Sequence, residues 1–163
     1  MKFVRANLLF VLVPLFLLVI ARTVFGIDGL YGQDAYEYLR FTKSLDDFWH
    51  GGVHPYDFFW PVGYPLLGSL VALLIQNEAL SLQLVSVLST IGCLIYLHAI
   101  LKMRSERLGL IRFYLIVFFL GSPLVFRSSF LCMSDMLCVF FITAHLFHFF
   151  RYRAEAKAHD LFL

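Results

Sequence analysis

Charge is scarce in this sequence, and its cysteines follow no framework pattern. Only 15% of the 163 residues are Asp, Glu, Lys or Arg, and the formal net charge is +2. That charge is too small for a nucleic-acid binder, and the bases lie beside apolar runs instead of in one patch. Cys93, Cys132 and Cys138 lie in or at the edge of apolar segments without metal-ligand spacing, so we interpret them as small core residues. Internal repeats and low-complexity linkers are also lacking.

Apolar and aromatic residues dominate the chain. They make up 61% and 18% of it, with nineteen Phe and eight Tyr, and the mean hydropathy is +0.82. Soluble domains are about half apolar, so this composition indicates an integral membrane protein. Abundant Phe and Tyr suit lipid-facing surfaces and interfacial belts.

The N-terminus has two interpretations. Residues Met1 to Ala21 contain Lys2 and Arg5 followed by an apolar run, as a signal peptide does. A small-x-small cleavage site is lacking, because Arg22 interrupts the pattern between Ala21 and Thr23. We therefore favour an uncleaved first membrane span, with a signal peptide as the alternative.

Charge distribution decides how many apolar runs cross the membrane. If the short run 61–76 crossed, the basic linker 102–112 would lie outside, against the positive-inside rule. With four spans, nine of the thirteen bases become cytoplasmic, namely residues 2, 5, 102, 104, 107, 112, 151, 153 and 157. Eight of the eleven acids become external, namely residues 28, 34, 37, 46, 47, 57, 78 and 135.

The sequence thus predicts an all-α, polytopic transmembrane helix bundle forming one membrane domain over residues 1–163. Its four spans are 7–25, 79–101, 108–126 and 134–150, and its external loop is 26–78. That loop would carry juxtamembrane helices at about 34–48 and 61–76, each too short or too polar to cross. Both termini would be cytoplasmic, in a bacterial inner membrane.

Two acidic segments could carry chemistry at the external face. In Gly32 to Arg40, Asp34 and Glu37 have capping-box spacing, and Asp34 at a helix start could also act as a base or metal ligand. In Ser128 to Asp135, Asp135 opens the last span with Ser134 as its cap. Asp135 could be only a helix-start acid, or it could face Asp34 across the same surface.

Three bases could hold a phosphate at this face. They are Arg127, the base of the short second external turn, and Arg40 and Lys43 near Asp34. A guanidinium binds phosphate oxygens in a bidentate fork. The alternative for Arg127 is a side chain that snorkels to the membrane interface.

In this order the motifs resemble the N-terminal portion of GT-C-type glycosyltransferases, closest to the protein O-mannosyltransferase and aminoarabinose transferase branch (family 39-type). The elements are an apolar first span, Gly-Gln-Asp-Ala-Tyr-Glu-Tyr-Leu at 32–39, Trp-Pro-Val-Gly-Tyr-Pro-Leu-Leu at 60–67, and Ser122-Pro123, Arg127-Ser128 and Ser134-Asp135. The resemblance covers essentially the whole chain. It implies Asp34 as catalytic base, and Asp135 as a second acid that helps bind a divalent metal.

These patterns lead to an expected function. We expect a sugar to move from a polyprenyl-phosphate-linked donor to a hydroxyl of a glycan, lipid or protein acceptor, among membrane lipids and without nucleic acid. Substrate binding is assigned to five residues: Tyr36, Glu37, Arg40, Tyr64 and Arg127. Family members are far longer, so the chain would be a fragment, would work with a partner subunit, or would have lost activity. The alternative is a non-catalytic lipid-binding or assembly subunit.

Overall fold

The computed structural model describes residues 2–55 and 57–160, with side chains from 7–55 and 57–155. Seven α-helices, and no strand, occur in these residues, which confirms the all-α prediction. The helices are α1 (Lys2–Thr23), α2 (Gly32–Gly51), α3 (Gly63–Ile75), α4 (Glu78–Lys102), α5 (Leu108–Gly121), α6 (Pro123–Phe130) and α7 (Asp135–Asp160). The side chains of Lys2, Arg5 and Lys157, which the charge count placed in the cytoplasm, lie outside the described ones.

Helix α4 is the centre of the bundle and contacts each of the other six helices. Two clusters of buried side chains surround it. One cluster joins α1, α4, α5 and α6 through Phe10, Leu18, Val87, Ile91, Leu94, Ile111, Leu115, Phe119 and Phe130. The other joins α2, α3 and α4 to the loop before α7 through Ala35, Tyr38, Tyr64, Leu82, Val85 and Cys132.

Helices α4 and α7 pack closely because Gly92 leaves room for an aromatic ring. A Cβ atom built at Gly92 would fall 2.5 Å from the ring of Phe140. Tyr96, one turn after Gly92, contacts both Phe140 and Phe147. These aromatic contacts keep the first half of α7 against the middle of α4.

The apolar run 108–126 is not one straight helix. It breaks at Ser122, whose φ of −94° and ψ of 104° are extended, and α5 and α6 meet there at 77°. Pro123 explains the break, because it has no N–H to continue α5 and disfavours helical backbone at the residue before it. Ser122 then caps α6 by accepting a hydrogen bond from the Val125 N–H.

Among the described residues, one helix is long and apolar enough to cross a membrane, namely Glu78–Lys102. The bent pair α5 and α6 is a second candidate if the two helices form one span. Two shorter apolar helices lie at Asn7–Thr23 and Gly63–Ile75. The structure therefore contains a candidate membrane-spanning helix, and the predicted four-span layout stays a prediction.

Helix α3 is short and has two different faces. Tyr64, Pro65, Gly68 and Ala72 are buried against α2 and α4. Leucines on the other face are open, and Leu74 is 86% exposed. With 13 residues and a rise of about 1.5 Å each, α3 is about 20 Å long, which is shorter than a bilayer core.

Candidate functional site

The starts of α2 and α7 are tied together by two hydroxyl groups. The Tyr38 hydroxyl lies 3.0 Å from Ser134 Oγ. Asp34 lies one turn before Tyr38 on the same helical face, and Asp135 directly follows Ser134. The structure therefore brings the helix starts that carry Asp34 and Asp135 to one end of the bundle.

The predicted capping box at Asp34 is wrong. Helix α2 begins at Gly32 with Tyr31 as its N-cap, and no side chain caps this end. Glu37 instead accepts two hydrogen bonds from Arg40, at 2.8 Å and 3.0 Å. Asp34 consequently lies inside the first helical turn, near the positive end of the helix dipole.

Arg127, at the end of α6, reaches the N-cap of α2. Its guanidinium carbon lies 4.4 Å from the centre of the Tyr31 ring, a cation–π contact. Tyr31 precedes Asp34 by three residues. We call the surface formed by Tyr31, Asp34, Arg127, Ser134 and Asp135 the polar mouth.

Asp135 has a serine partner within the polar mouth. The Ser128 hydroxyl donates to Asp135 Oδ2 at 3.4 Å. Ser128 is buried and belongs to α6, whereas Asp135 is exposed at the first residue of α7. This bond orients one carboxylate oxygen of Asp135 and leaves the other open to solvent or to a ligand.

An apolar groove of about 430 Å³ lies beside the polar mouth, between α1 and α6. Its lining residues are Leu17, Ile20, Ala21, Phe25, Ile27, Phe126, Arg127, Phe130 and Leu131. Arg127 is the one charged residue among them. Arg127 borders the groove with the carbon atoms of its side chain, whereas its guanidinium lies over Tyr31 in the polar mouth.

Gln83 of α4 is fully buried and joins three chain segments below the mouth. Its carboxamide oxygen accepts from the Arg22 guanidinium at the end of α1. Its amide donates to the carbonyl of Phe130 at 2.9 Å and to that of Ile27 at 3.3 Å. Gly29 fits against Gln83, because a Cβ atom there would fall 2.6 Å from the Gln83 side chain.

Ser86 and Tyr64 hold the loop that leads into α7. Ser86 Oγ donates to the carbonyl of Leu131 at 2.8 Å, and its contact with the Met133 carbonyl is 3.2 Å. The Tyr64 hydroxyl donates to the Leu82 carbonyl at 2.9 Å and lies 2.8 Å from Ser86 Oγ. Burial, the largest cause, raises the pKa of Tyr64 well above its ordinary value.

Cys132 anchors the same loop from the other side. Its backbone N–H donates to the Gly29 carbonyl at 2.9 Å. Burial first, and then the charge of Asp28, raise the pKa of the Cys132 thiol to about 12, while Arg22 opposes this shift. Cys132 is therefore a neutral packing residue at ordinary pH, as the sequence predicted.

The residues assigned to substrate binding lie in three different places. Arg127 belongs to the polar mouth. Tyr36 and Arg40 are exposed on the side of α2 away from Tyr38, and Arg40 is paired with Glu37. Tyr64 is only 2% exposed and uses its hydroxyl within the core.

A metal site needs more ligands than the described residues bring together. No group of three or more His, Cys, Asp or Glu side chains is suited to hold a metal ion within residues 7–55 and 57–155. Asp34 and Asp135 supply carboxylates without a third such residue. The metal role assigned to Asp135 stays a prediction.

Sequence reasoning did not single out Gln83, Ser86 or Tyr38, although a signal was present. Gln83, Ser86 and Thr90 interrupt the apolar run 79–101 at intervals of three and four residues, which places them on one helical face. Such a polar stripe in an apolar helix predicts buried hydrogen bonds. It does not reveal that the partners are the backbone carbonyls around the polar mouth.

We compared the chain with protein families, curated proteins and solved structures. No protein-family model matches the chain, and neither a curated protein nor a solved structure matches it significantly.

Proposed function

We propose that this chain is a glycosyltransferase, or the first part of a longer one, that moves a sugar from a polyprenyl-phosphate-linked donor to an acceptor hydroxyl. The observation that carries the proposal is the apolar groove bordered by Arg127, whose guanidinium carbon lies over the ring of Tyr31, the N-cap of the helix bearing Asp34. A polyprenyl chain requires an apolar channel, its phosphate requires a cation, and its sugar requires a nearby base.

We also propose that the chain is a multi-pass membrane protein with four spans and cytoplasmic termini. Large apolar side chains exposed on α1, α5 and α7 support this, such as Phe16 at 65%, Phe113 at 62% and Phe141 at 59%. Apolar side chains exposed together on several helices are typical of a lipid-facing surface. Helix α3, with its exposed leucines, would lie in the external interface. A reporter-fusion map should place the 76–81 turn outside and the 102–108 turn inside.

Asp34 is the proposed general base. Its carboxylate takes the proton of the acceptor hydroxyl while that oxygen forms a bond to the anomeric carbon of the sugar. The bond from that carbon to the lipid phosphate breaks, and the phosphate leaves with the bonding electron pair. Displacement from the opposite side inverts the anomeric centre, and Asp34 later returns its proton to water.

Arg127 is the proposed partner of the departing phosphate. Negative charge grows on the phosphate as the sugar leaves, and the guanidinium of Arg127 would stabilise that charge. Asp135, held by Ser128, would orient the acceptor through its open carboxylate oxygen. Glu37 and Arg40 pair with each other at 2.8 Å, so neither is given a part in the transfer step.

A direct experiment is sugar transfer in membranes that contain the full-length protein. The donors to test are polyprenyl-phosphate mannose, glucose and aminopentose, each labelled in the sugar. The label should be transferred to an acceptor only when the protein is present. Transfer should fall by roughly 10²–10⁴-fold with Asp34→Asn while the protein still binds polyprenyl phosphate. Equal transfer by membranes with and without the protein, for every donor tested, would contradict the proposal.

A second candidate is a non-catalytic lipid-binding or assembly subunit. The nearly all-apolar lining of the groove favours it, because such a lining can hold a lipid chain without any sugar chemistry. In that case Asp34→Asn and Asp34→Ala would both bind polyprenyl phosphate like the unchanged protein, and no donor would be consumed. The two candidates therefore differ in turnover and agree in lipid binding.

A further inference from the structure

A second cavity lies at the opposite end of the bundle from the polar mouth. It has a volume of about 540 Å³ and opens between the last turns of α4 and the C-terminal part of α7. Its lining residues are Ile100, Met103, Arg104, Phe150, Arg153 and Ala154. Helix α4 has 25 residues, so about 36 Å separates this end from the end at Glu78.

The lining combines two guanidinium groups with an apolar wall. Arg104 lies in the turn after α4 and Arg153 lies in α7, and both line one cavity whose other lining side chains carry no charge. Arg153 also lies 5.9 Å from the centre of the Phe149 ring. Two fork-shaped donors above an apolar wall suit a phosphate joined to hydrocarbon, because free phosphate would leave the apolar wall unused.

The charges of both arginines are available to a ligand. Within the described part of the chain, neither Arg104 nor Arg153 forms an ion pair. The neighbouring acid Glu155 is already bonded to Arg151 at 2.7 Å. Among the described side chains the two positive charges of the cavity are thus not neutralised, and an anionic ligand would complement them.

We propose that this cavity binds the phosphate headgroup of an anionic phospholipid from the cytoplasmic leaflet, with the lipid chains along Ile100 and Phe150. Basic pockets between the cytoplasmic ends of membrane helices have the charge and position that such headgroups require. The inference rests on the membrane placement proposed above, but not on sugar transfer. It gives the chain a second lipid site, apart from the donor groove.

Native mass spectrometry of the full chain in detergent tests the inference. Dioleoyl phosphatidylglycerol should bind saturably with one tight site, and dioleoyl phosphatidylcholine should bind more weakly. The variant Arg104→Gln with Arg153→Gln should bind phosphatidylglycerol at least tenfold more weakly, since each basic side chain contributes about fivefold. The matched control is Lys102→Gln with Arg107→Gln, which removes the same charge from exposed positions outside the cavity.

Hydrogen–deuterium exchange on the unchanged protein gives a test that needs no variant. Phosphatidylglycerol should slow exchange in residues 100–104 and 150–154, and inorganic phosphate at millimolar concentration should neither do so nor displace the lipid. Equal losses of phosphatidylglycerol binding in the two double variants would show that the lipid is attracted by the overall positive charge of this end of the chain, and would contradict a specific site in the cavity. Displacement by inorganic phosphate, equal binding of phosphatidylcholine, or unchanged exchange would overturn it too. Sugar transfer is measured separately, so either proposal can fail alone.

Discussion

The guanidinium carbon of Arg127 lies 4.4 Å from the centre of the Tyr31 ring, so the end of α6 rests on the start of α2. This contact joins the apolar groove to the helix that carries Asp34. It places the guanidinium over the ring, and the N–H groups of a guanidinium can donate to phosphate oxygens as a fork. In our account those N–H groups hold the phosphate of the lipid donor.

Replacing Arg127 by Lys should weaken donor use although the charge is kept. An ammonium group lacks the bidentate fork and stacks less well on Tyr31, so we expect kcat/KM for the donor to fall about tenfold, and further for Arg127→Ala. Steady-state transfer kinetics with varied donor concentration measure this. Arg40→Lys is the control, because Arg40 lies on the other side of α2. Equal losses for the two lysine variants would contradict the role of Arg127.

The fit of Gly29 against Gln83 predicts a steric cost of substitution. Gly29 has a φ of +82°, and an added Cβ would also meet the Gln83 side chain at 2.6 Å. Gly29→Ala should lower the free energy of unfolding by about 2–4 kcal/mol through left-handed strain and overpacking together. Gly26 has a φ of +63° with nothing near its Cβ position, so Gly26→Ala should cost only about 1–2 kcal/mol.

Denaturant unfolding in detergent compares these glycine variants. In a Gln83→Ala background the steric part should disappear, and the two glycine substitutions should then cost nearly the same. A Gly29→Ala cost that is no larger than the Gly26→Ala cost in the unchanged background would show that Gln83 does not set the position of the 27–30 loop.

The raised pKa of Cys132 predicts an unusual pH dependence of alkylation. At pH 8 a thiol with a pKa of about 12 is ionised in about one molecule in ten thousand, and the thiolate is the reactive form. In a variant with Cys93→Ala and Cys138→Ala, the rate with a small alkylating agent should rise about tenfold per pH unit up to pH 11. The same variant unfolded in dodecyl sulfate should reach a plateau near pH 9, and a plateau there for the folded form would contradict the buried environment.

The same shift determines how Cys132 affects stability. Its folded-state pKa lies above its unfolded value, so the stabilisation is complete below about pH 8.5 and is lost as the pH rises toward 12. The alkylation experiment should therefore include circular dichroism at each pH, so that loss of the fold is separated from ionisation of the thiol.

Most of the helical architecture could be predicted from the apolar runs. Helix α4, at Glu78–Lys102, begins with an Asn77 cap and has the length and composition expected of a span. The apolar run 108–126 did not predict the break at Ser122, because one proline hardly changes the mean hydropathy of a run but does interrupt a helical backbone. The Ser-Pro pair inside this apolar run is the sequence feature that indicates the break.

The site could be predicted only in part, because side-chain partners depend on tertiary packing. Asp34 and Glu37 have capping-box spacing, but helix α2 starts earlier, at Gly32. Glu37 therefore accepts a hydrogen bond from Arg40, one turn later in the same helix, instead of capping the helix. Tyr64 has a conspicuous place in its motif, but its hydroxyl is used within the core. Gln83 is recognisable in the sequence as a polar residue in an apolar run. Its three partners are not, because they come from segments far apart in sequence.

Sugar transfer by Asp34→Asn, in the full-length protein, tests the central claim most directly. The substitution keeps the size of the side chain and removes its ability to accept a proton. We predict a fall in kcat of roughly 10²–10⁴-fold for a polyprenyl-phosphate sugar, with binding of polyprenyl phosphate retained. Asp47→Asn, near the other end of α2, should transfer sugar at the unchanged rate. Full turnover by Asp34→Asn would contradict the assignment of Asp34 as the base.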